Sequence, residues 1–406
     1  MLRGSGKYAL GIGLRLSLLV FLMPGGFASA QGQAVMAVSN PTNLARPEEI
    51  VEIPLTEIRA RLGGNPANLS AEDLSSHREL PVQMERGRSS MAADKLLVLV
   101  SLDPHETMRL VIHATSEPAR GTPLVFGRAV PERKDDFAWE NDKVAYRVYG
   151  PALQATGEIT SGIDVWSKRV PDLIVNTWYR RDAEGQRTDN PAMSYHKDSG
   201  QGLDSYEVGP TRGCGGTGLW ANGHLYVSKN YVHAEILESG PIRFRFRLRY
   251  APWQADGFEV SEEKVITLDA GSHLNRIEST FSFSRVLPSG KEAPQWAAGL
   301  AMHSGAHLAT SDDGGILLVW EPLTDPHAGM DGTAIVLEPG QTAKTIQEPG
   351  NAFVLLPATP EAPVAYYAGA AWSKADIPDE AAWSRYLAGF RERLQHPLKT
   401  RWQSIE

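Results

Sequence analysis

The sequence predicts a mostly β protein with one clear helix near its C-terminal end, and three observations lead there. Short apolar runs recur along the chain, separated by turn signals such as Pro-Ser-Gly at 288–290 and Asp-Asp-Gly-Gly at 312–315. From Arg243 to Tyr250 every second residue is arginine and the residues between are Phe244, Phe246, Leu248 and Tyr250. That alternation fits a strand with one buried face and one wet or ligand-facing face. From Asp379 to about residue 394, Trp383, Tyr386, Leu387, Phe390 and Leu394 fall on one face at helical spacing, with Pro378 just before and Pro397 just after. Many strands with few helices imply a sandwich, barrel or stacked-sheet design.

In chain order, the first element is a leader. Arg3 and Lys7 form a basic start, residues 16–23 are an apolar run, and Ala28-Ser29-Ala30 is a small-residue cleavage site. This is the pattern of a secretory signal, cut near Ala30 so that Gln31 begins the mature chain. The expected location is periplasmic or extracellular. No later segment approaches the roughly 18 consecutive apolar residues of a membrane-spanning helix. The formal net charge is −8. Losing a leader with three basic and no acidic residues takes it to −11. No lysine or arginine run marks a nucleic-acid partner. Cys214 is the only cysteine, so no internal disulfide is expected, and the thiol is read as a small buried residue rather than a nucleophile.

Residues 31–115 read as a small β-sandwich-like domain with strands near 50–55, 95–101 and 108–113 and a polar middle at 65–78. Its histidines, His77, His105 and His113, form no reactive cluster, and the domain is expected to be scaffold. Residues 116–138 read as a linker region that includes a short strand at 124–128 and a charged run at 131–136. The large β domain, 139–406, is expected to carry the site. Its candidate strands are 143–149, 173–178, 224–228, 242–250, 258–268, 273–284, 316–320, 333–337, 352–356 and 364–371.

The segment from Tyr195 to Trp220 has no apolar period. It gathers Tyr195, His196, Lys197, Asp198, Asp204, Tyr206 and Arg212 among seven glycines. Glycine permits sharp reversals and close backbone approach, and loops on a rigid scaffold are where catalysis and binding concentrate.

Residues 136–153, the run Ser161–Arg169, the 195–220 loop and Glu238-Ser239-Gly240-Pro241-Ile242-Arg243 together resemble the bacterial secreted family called domain of unknown function 4861. The resemblance covers nearly the whole mature chain. It implies a companion of enzymes that break down uronic-acid polysaccharides such as pectin. It also implies the β-supersandwich fold of sugar mutarotases and several polysaccharide lyases. It assigns no role to any residue.

The residue chemistry supplies candidates. His196 suits acid–base work, because its ordinary pKa lies nearest neutrality. Tyr195 or Tyr206 serves as acid or base where a cation such as Lys197 or Arg212 lies nearby. Arg212 can fork onto a substrate carboxylate. The catalytic candidates are therefore Tyr195, His196, Tyr206 and Arg212. Trp139 is a candidate sugar platform, and Glu140 and Asp142 are candidate partners for sugar hydroxyls. Lys197, Asp198, Asp204 and His303 complete the substrate-binding set. The expectation is that His196, Tyr206 and Arg212 converge on one cleft, with His303 and Trp139 as its second wall. That equipment suits β-elimination at a uronic acid, which needs a group on the carboxylate, a base at C5 and an acid at the leaving oxygen. A carboxylate pair would instead suit glycoside hydrolysis, and a mutarotase, an epimerase or a non-catalytic glycan-binding protein also fits the scaffold. The expected partner is a glycan. No cofactor is required on this reading; a calcium ion on Asp198, Asp204 and loop carbonyls is compatible with the loop but has no EF-hand pattern behind it.

Overall fold

The structure is a computed structural model and describes residues 32–86, 93–119, 121–283 and 293–404. The predicted leader and the 288–290 turn lie outside the described residues.

The alternation read from the sequence becomes sheet structure with every registered strand pair antiparallel. The small N-terminal part is built from two sheets. One holds five strands, in the order Lys399–Gln403, Gln33–Ser39, Thr107–Thr115, Asn68–Asp73 and Arg78–Leu80. The other holds Arg46–Pro54, Ala93–Leu102 and Val82–Arg86. Met36, Val38, Ile53, Leu96, Val98 and Ile112 form the core between them. One strand of this layer comes from the far end of the chain.

The large part is a supersandwich of three further sheets. An eight-stranded sheet runs from Tyr231–Ser239 through Arg243–Ala255, Phe258–Asp269, Leu274–Phe283, Pro363–Trp372, Met330–Leu337 and Ile316–Pro322 to His307–Thr310. A five-stranded sheet centres on Gln295–Ala301, between Cys214–Ala221 and Asn351–Pro357. The last sheet runs Gly202–Leu203, Asp164–Lys168, Ala145–Val148, Asp136–Asn141 and Val125–Val130. Phe137, Trp139, Tyr146, Phe244, Phe246, Trp296 and Val354 join in one continuous core. In Arg243–Ala255 the aromatic positions point into it and the arginines point away, as the alternation requires. The expected linker region contains the strand Val125–Val130, which pairs along its whole length with Asp136–Asn141.

The C-terminal helix spans Glu380–Gln395, capped by the Asp379 side chain accepting from the Ala382 N–H. A second long helix corrects the sequence reading. Residues 173–178 are not a strand; Val175–Arg187 is a helix whose buried face is Val175, Trp178, Tyr179, Asp182 and Gly185. Its start is held by a buried carboxylate: Glu140 accepts the N–H groups of Ile174 and Val175, both at 2.8 Å. Lys168 pairs with Glu140 at 3.1 Å, and both side chains are sealed from solvent. Anions favour helix N-termini, and here the anion comes from the sheet beneath.

The same sheet face carries an ion cluster that anchors the glycine-rich loop. Arg147 donates to Asp164 Oδ2 through Nε at 2.8 Å, to Asp204 Oδ2 at 2.9 Å and to the Tyr195 hydroxyl at 3.3 Å. Asp136 lies 3.8 Å from the same guanidinium. Burial and the neighbouring Asp204 charge push the Asp164 carboxyl up to about 7, against the pull of Arg147. Burial likewise pushes Asp136 up to about 6.

Two outcomes follow. Glu140→Ala leaves the Lys168 charge buried and the helix N–H groups unpaired, so it should cost about 3–5 kcal/mol in urea unfolding. For the ion cluster, the folded chain holds protons on Asp164 that the unfolded chain releases near the ordinary value of 3.8. The Asp164 contribution therefore lowers stability as pH rises from that value to about 7, and is level above it. Asp164→Asn should flatten that part of the curve of urea midpoint against pH.

Candidate functional site

The 195–213 loop runs from the ion cluster to one end of the sandwich interior, fixed at each turn by backbone or buried side chains. Tyr195 stacks on Trp166 with ring centroids 5.1 Å apart, and its hydroxyl also accepts from Arg133 at 3.2 Å. Gly202 and Leu203 pair with Lys168 and Ser167. A Cβ on Gly202, at φ 134°, would meet the Ser167 carbonyl oxygen at 2.0 Å, so only glycine fits there. Gly213 makes a similar approach to the Ile163 carbonyl.

Where the loop meets the eight-stranded sheet, strand register builds a row of functional groups. Trp372 lies opposite Asp331, and Asp331 lies opposite Glu321. Opposed residues of antiparallel strands share a face. This is the inner face, continuous with Ile335 and Val319 of the core. Glu321 holds His303 twice, accepting its backbone N–H at 2.8 Å and its Nδ1–H at 2.7 Å. His303 Nε2 meets the Glu207 carbonyl oxygen of the loop at 2.7 Å. The Glu321 hydrogen bond raises the His303 pKa above the ordinary histidine value, and both ring nitrogens face acceptors, an arrangement that favours the protonated ring.

Tyr206 crosses the His303 ring edge-on, with centroids 5.7 Å apart. Its buried hydroxyl finds no hydrogen-bond partner among the described residues, and neither does Thr333 Oγ1, on the same face of the sheet as Asp331. Burial drives the Tyr206 phenol well above its ordinary range, and the charges of Glu321 and Asp331 add to that. Asp331 accepts the Ser167 hydroxyl at 2.9 Å, and burial pushes its carboxyl up to about 8. His303 is 30% exposed and opens on a cavity of about 440 Å³ with Gln347, Glu348 and Gly350. At the other end of the row the Arg169 guanidinium lies 4.5 Å from the Trp372 ring centroid, and Lys374 Nζ lies 6.0 Å from it.

The structure brings together part of the predicted set. Tyr206 lies against His303. Tyr195 and Asp204 sit in the Arg147 cluster. His196 stands at its edge, 57% exposed, with Nδ1 2.9 Å from the Asp204 carbonyl oxygen. Lys197 is exposed. Asp198 pairs with Arg169.

Arg212 does not join the convergence. Its guanidinium points into the sandwich, donating to Ser161 Oγ at 3.0 Å and to the Thr217 carbonyl at 3.3 Å, and burial lowers its pKa to about 10. Trp139 forms no wall: it is fully buried, stacked on Tyr146, and its Nε1–H donates to Asn275 at 2.7 Å. Glu140 holds the helix start described above. Asp142 fastens a turn by accepting the Gly271 N–H at 2.7 Å. The proposed calcium donors are divided, because Asp198 is engaged by Arg169 and Asp204 by Arg147. Among the described residues no group of three or more His, Cys, Asp or Glu side chains is arranged to hold a metal. Cys214 is buried, and burial pushes its thiol up.

Sequence reasoning missed Glu321, Asp331, Ser167, Arg169 and Arg147. Glu321 and Asp331 had one signal: Glu321 closes an apolar run, and Asp331 stands near the start of another.

Comparison with known proteins places the chain among relatives. It is 32% identical over 382 residues to "Uncharacterized protein P7" of Formosa agariphila, covering 90% of this chain and 92% of that protein. Among solved structures it resembles a protein in the glycosyl hydrolase family 38 from Enterococcus faecalis, with a TM-score of 0.50 and 8% identity over 92% of this chain and 48% of the other. An α-mannosidase from Enterococcus faecalis V583 gives a TM-score of 0.47 and 9% identity, over 92% of this chain and 46% of the other. The chain thus spans about half the length of the solved structures it matches, and the former likeness is one of fold. A family model, "Domain of unknown function (DUF4861)", matches residues 38–400, and with the whole described architecture inside or bordering that span the chain belongs to the DUF4861 family.

Proposed function

We propose that this chain is a carbohydrate-active protein that transfers protons on a uronic-acid-containing glycan, with elimination as the reaction. The observation that carries this reading is His303: a ring held by Glu321, set against the Tyr206 phenol, and open to a cavity. A carboxylate that orients a histidine is a recurring device of acid–base catalysis. In this reading the His303 Nε2–H turns from the Glu207 carbonyl to the leaving oxygen and protonates it as the C4–O bond breaks. Glu348, which lines the same cavity as His303, accepts the C5 proton, and the C4=C5 double bond forms. Lys374 and Arg169, the latter by exchanging its Asp198 partner, supply positive charge for a uronate carboxylate. They flank Trp372, two strand spacings or about 10 Å from Glu321, which corresponds to a neighbouring sugar rather than the one at His303.

One observation favours hydrolysis as a second reading. Glu321 and Asp331 are opposed across two strands, and burial keeps Asp331 protonated near neutral pH. Cross-strand side chains start about 5 Å apart at Cβ, and retaining glycosidases place their carboxyl groups about 5–5.5 Å apart. The product separates the two: elimination leaves an unsaturated uronate that absorbs in the ultraviolet, and hydrolysis does not.

The test is incubation of the protein with polygalacturonate and other uronate oligosaccharides, followed by ultraviolet absorbance and chromatography of the products. His303→Gln should lower turnover about 100-fold or more while leaving the thermal midpoint within a few degrees. Turnover that needs the protonated ring should persist above the ordinary histidine range and then fall as pH rises, because Glu321 raises the His303 pKa. Arg169→Ala should raise KM for the uronate and leave KM for its carboxyl-reduced counterpart unchanged. Full activity of His303→Gln would dismiss this site.

A further inference from the structure

The geometry points to a second glycan-binding surface, for neutral sugar residues, on the outer face of the eight-stranded sheet. This inference rests on the carbohydrate-active reading but uses none of the residues of the His303 row. The two surfaces are opposite faces of one sheet: Glu321, Asp331 and Trp372 point inward, while Arg243, Arg245 and Arg247 point outward.

The outer face forms the floor of a cleft of about 1380 Å³. Ligand pockets for small molecules run to about 300–1,000 Å³, so this space suits a chain of sugars better than a single small ligand. One wall is the three-stranded sheet of the N-terminal part, through Glu52 and Glu85. The other is the C-terminal helix and its neighbour strand, through Tyr386, Phe390 and Tyr367. These rings are partly exposed, and sugar ring faces pack on such surfaces.

The floor presents guanidinium and carboxylate groups in pairs. Arg247 reaches Glu235 at 2.9 Å and Glu263 at 3.0 Å, Arg245 reaches Glu85 at 3.1 Å, and Arg276 reaches Glu278 at 3.0 Å. Such pairs offer N–H donors beside carboxylate acceptors, the complement of a vicinal diol, in which each hydroxyl both donates and accepts. Arg245 Nε is buried and has no hydrogen-bond partner among the described residues.

The charge selects the ligand. Among the described lining residues ten carboxylates face seven cations. A polyuronate would meet net negative potential, whereas a neutral glycan would not. Occupying both surfaces would let the protein hold neutral sugars on one side of the sheet and process a uronate at the other.

Calorimetric titration of the full chain tests this. The probes are neutral hexasaccharides from galactan, mannan and xylan, and a polygalacturonate hexasaccharide. The proteins are wild type, Arg247→Ala/Glu263→Gln, Arg276→Ala and His303→Gln, each checked for an unchanged thermal midpoint. At least one neutral hexasaccharide should bind. The Arg247→Ala/Glu263→Gln and Arg276→Ala proteins should each bind it at least 10-fold more weakly, and His303→Gln should bind it as wild type does. The inference fails if no neutral probe binds, if the cleft variants bind as wild type does, or if His303→Gln abolishes binding. Uronate turnover without neutral binding would overturn this inference alone. Neutral binding at the cleft without any turnover would overturn the enzymatic reading alone.

Discussion

A single buried guanidinium holds the pieces of the site in register. Arg147 lies within reach of three carboxylates, from Asp136, Asp164 and Asp204, and of the hydroxyls of Tyr149 and Tyr195. Two of those carboxylates belong to the sheet, while Asp204 and Tyr195 belong to the loop. A loop so rich in glycine has much conformational entropy to lose on ordering. The cation offsets that loss by giving the loop two fixed points about nine residues apart, and Tyr206 follows two positions after the second. The position of Tyr206 against His303 is therefore inherited from an ion cluster on the other face of the neighbouring sheet. A buried charge network is costly unless every member has a partner, so this anchor leaves little room for alternative loop placements.

Much of the architecture was legible because period-two alternation leaves a visible trace. The Arg–Phe alternation identified a strand with two chemically different faces, and both faces matter. The helix Val175–Arg187 was misread for a physical reason. Its apolar positions, Val175, Trp178 and Tyr179, follow helical spacing, but the next slot is Asp182, so the stripe breaks off after one turn. The remaining apolar residues, Leu173 and Ile174, are as consistent with a strand.

The site was legible in composition and not in direction. The loop was recognisable from its glycines and titratable groups, and Tyr206 with His303 was part of that picture. Trp139 was assigned outward although Phe137, two residues before it, shares its face and lies in the core; Asp136 and Glu140 mark the opposite face. Arg212 follows a tight turn, and no periodicity tells which way a side chain leaves such a turn. Glu321 and Asp331 were hard to single out because a carboxylate just after or just before an apolar run is also how many ordinary strands finish or begin. Only the register of three strands shows that they stand side by side beneath a histidine from another loop.

The strand Lys399–Gln403 pairs with Gln33–Ser39, which makes the opening strand of the fold dependent on nearly the last residues of the chain. During synthesis, the first sheet has an open edge until residues 399–403 have emerged. An open strand edge is a template for wrong pairing, and contacts so distant in sequence form slowly. The five-stranded sheet of the small layer is therefore complete only when residues about 360 positions apart have met, like a clasp, and the three-stranded sheet that walls the outer cleft packs on it through one shared core.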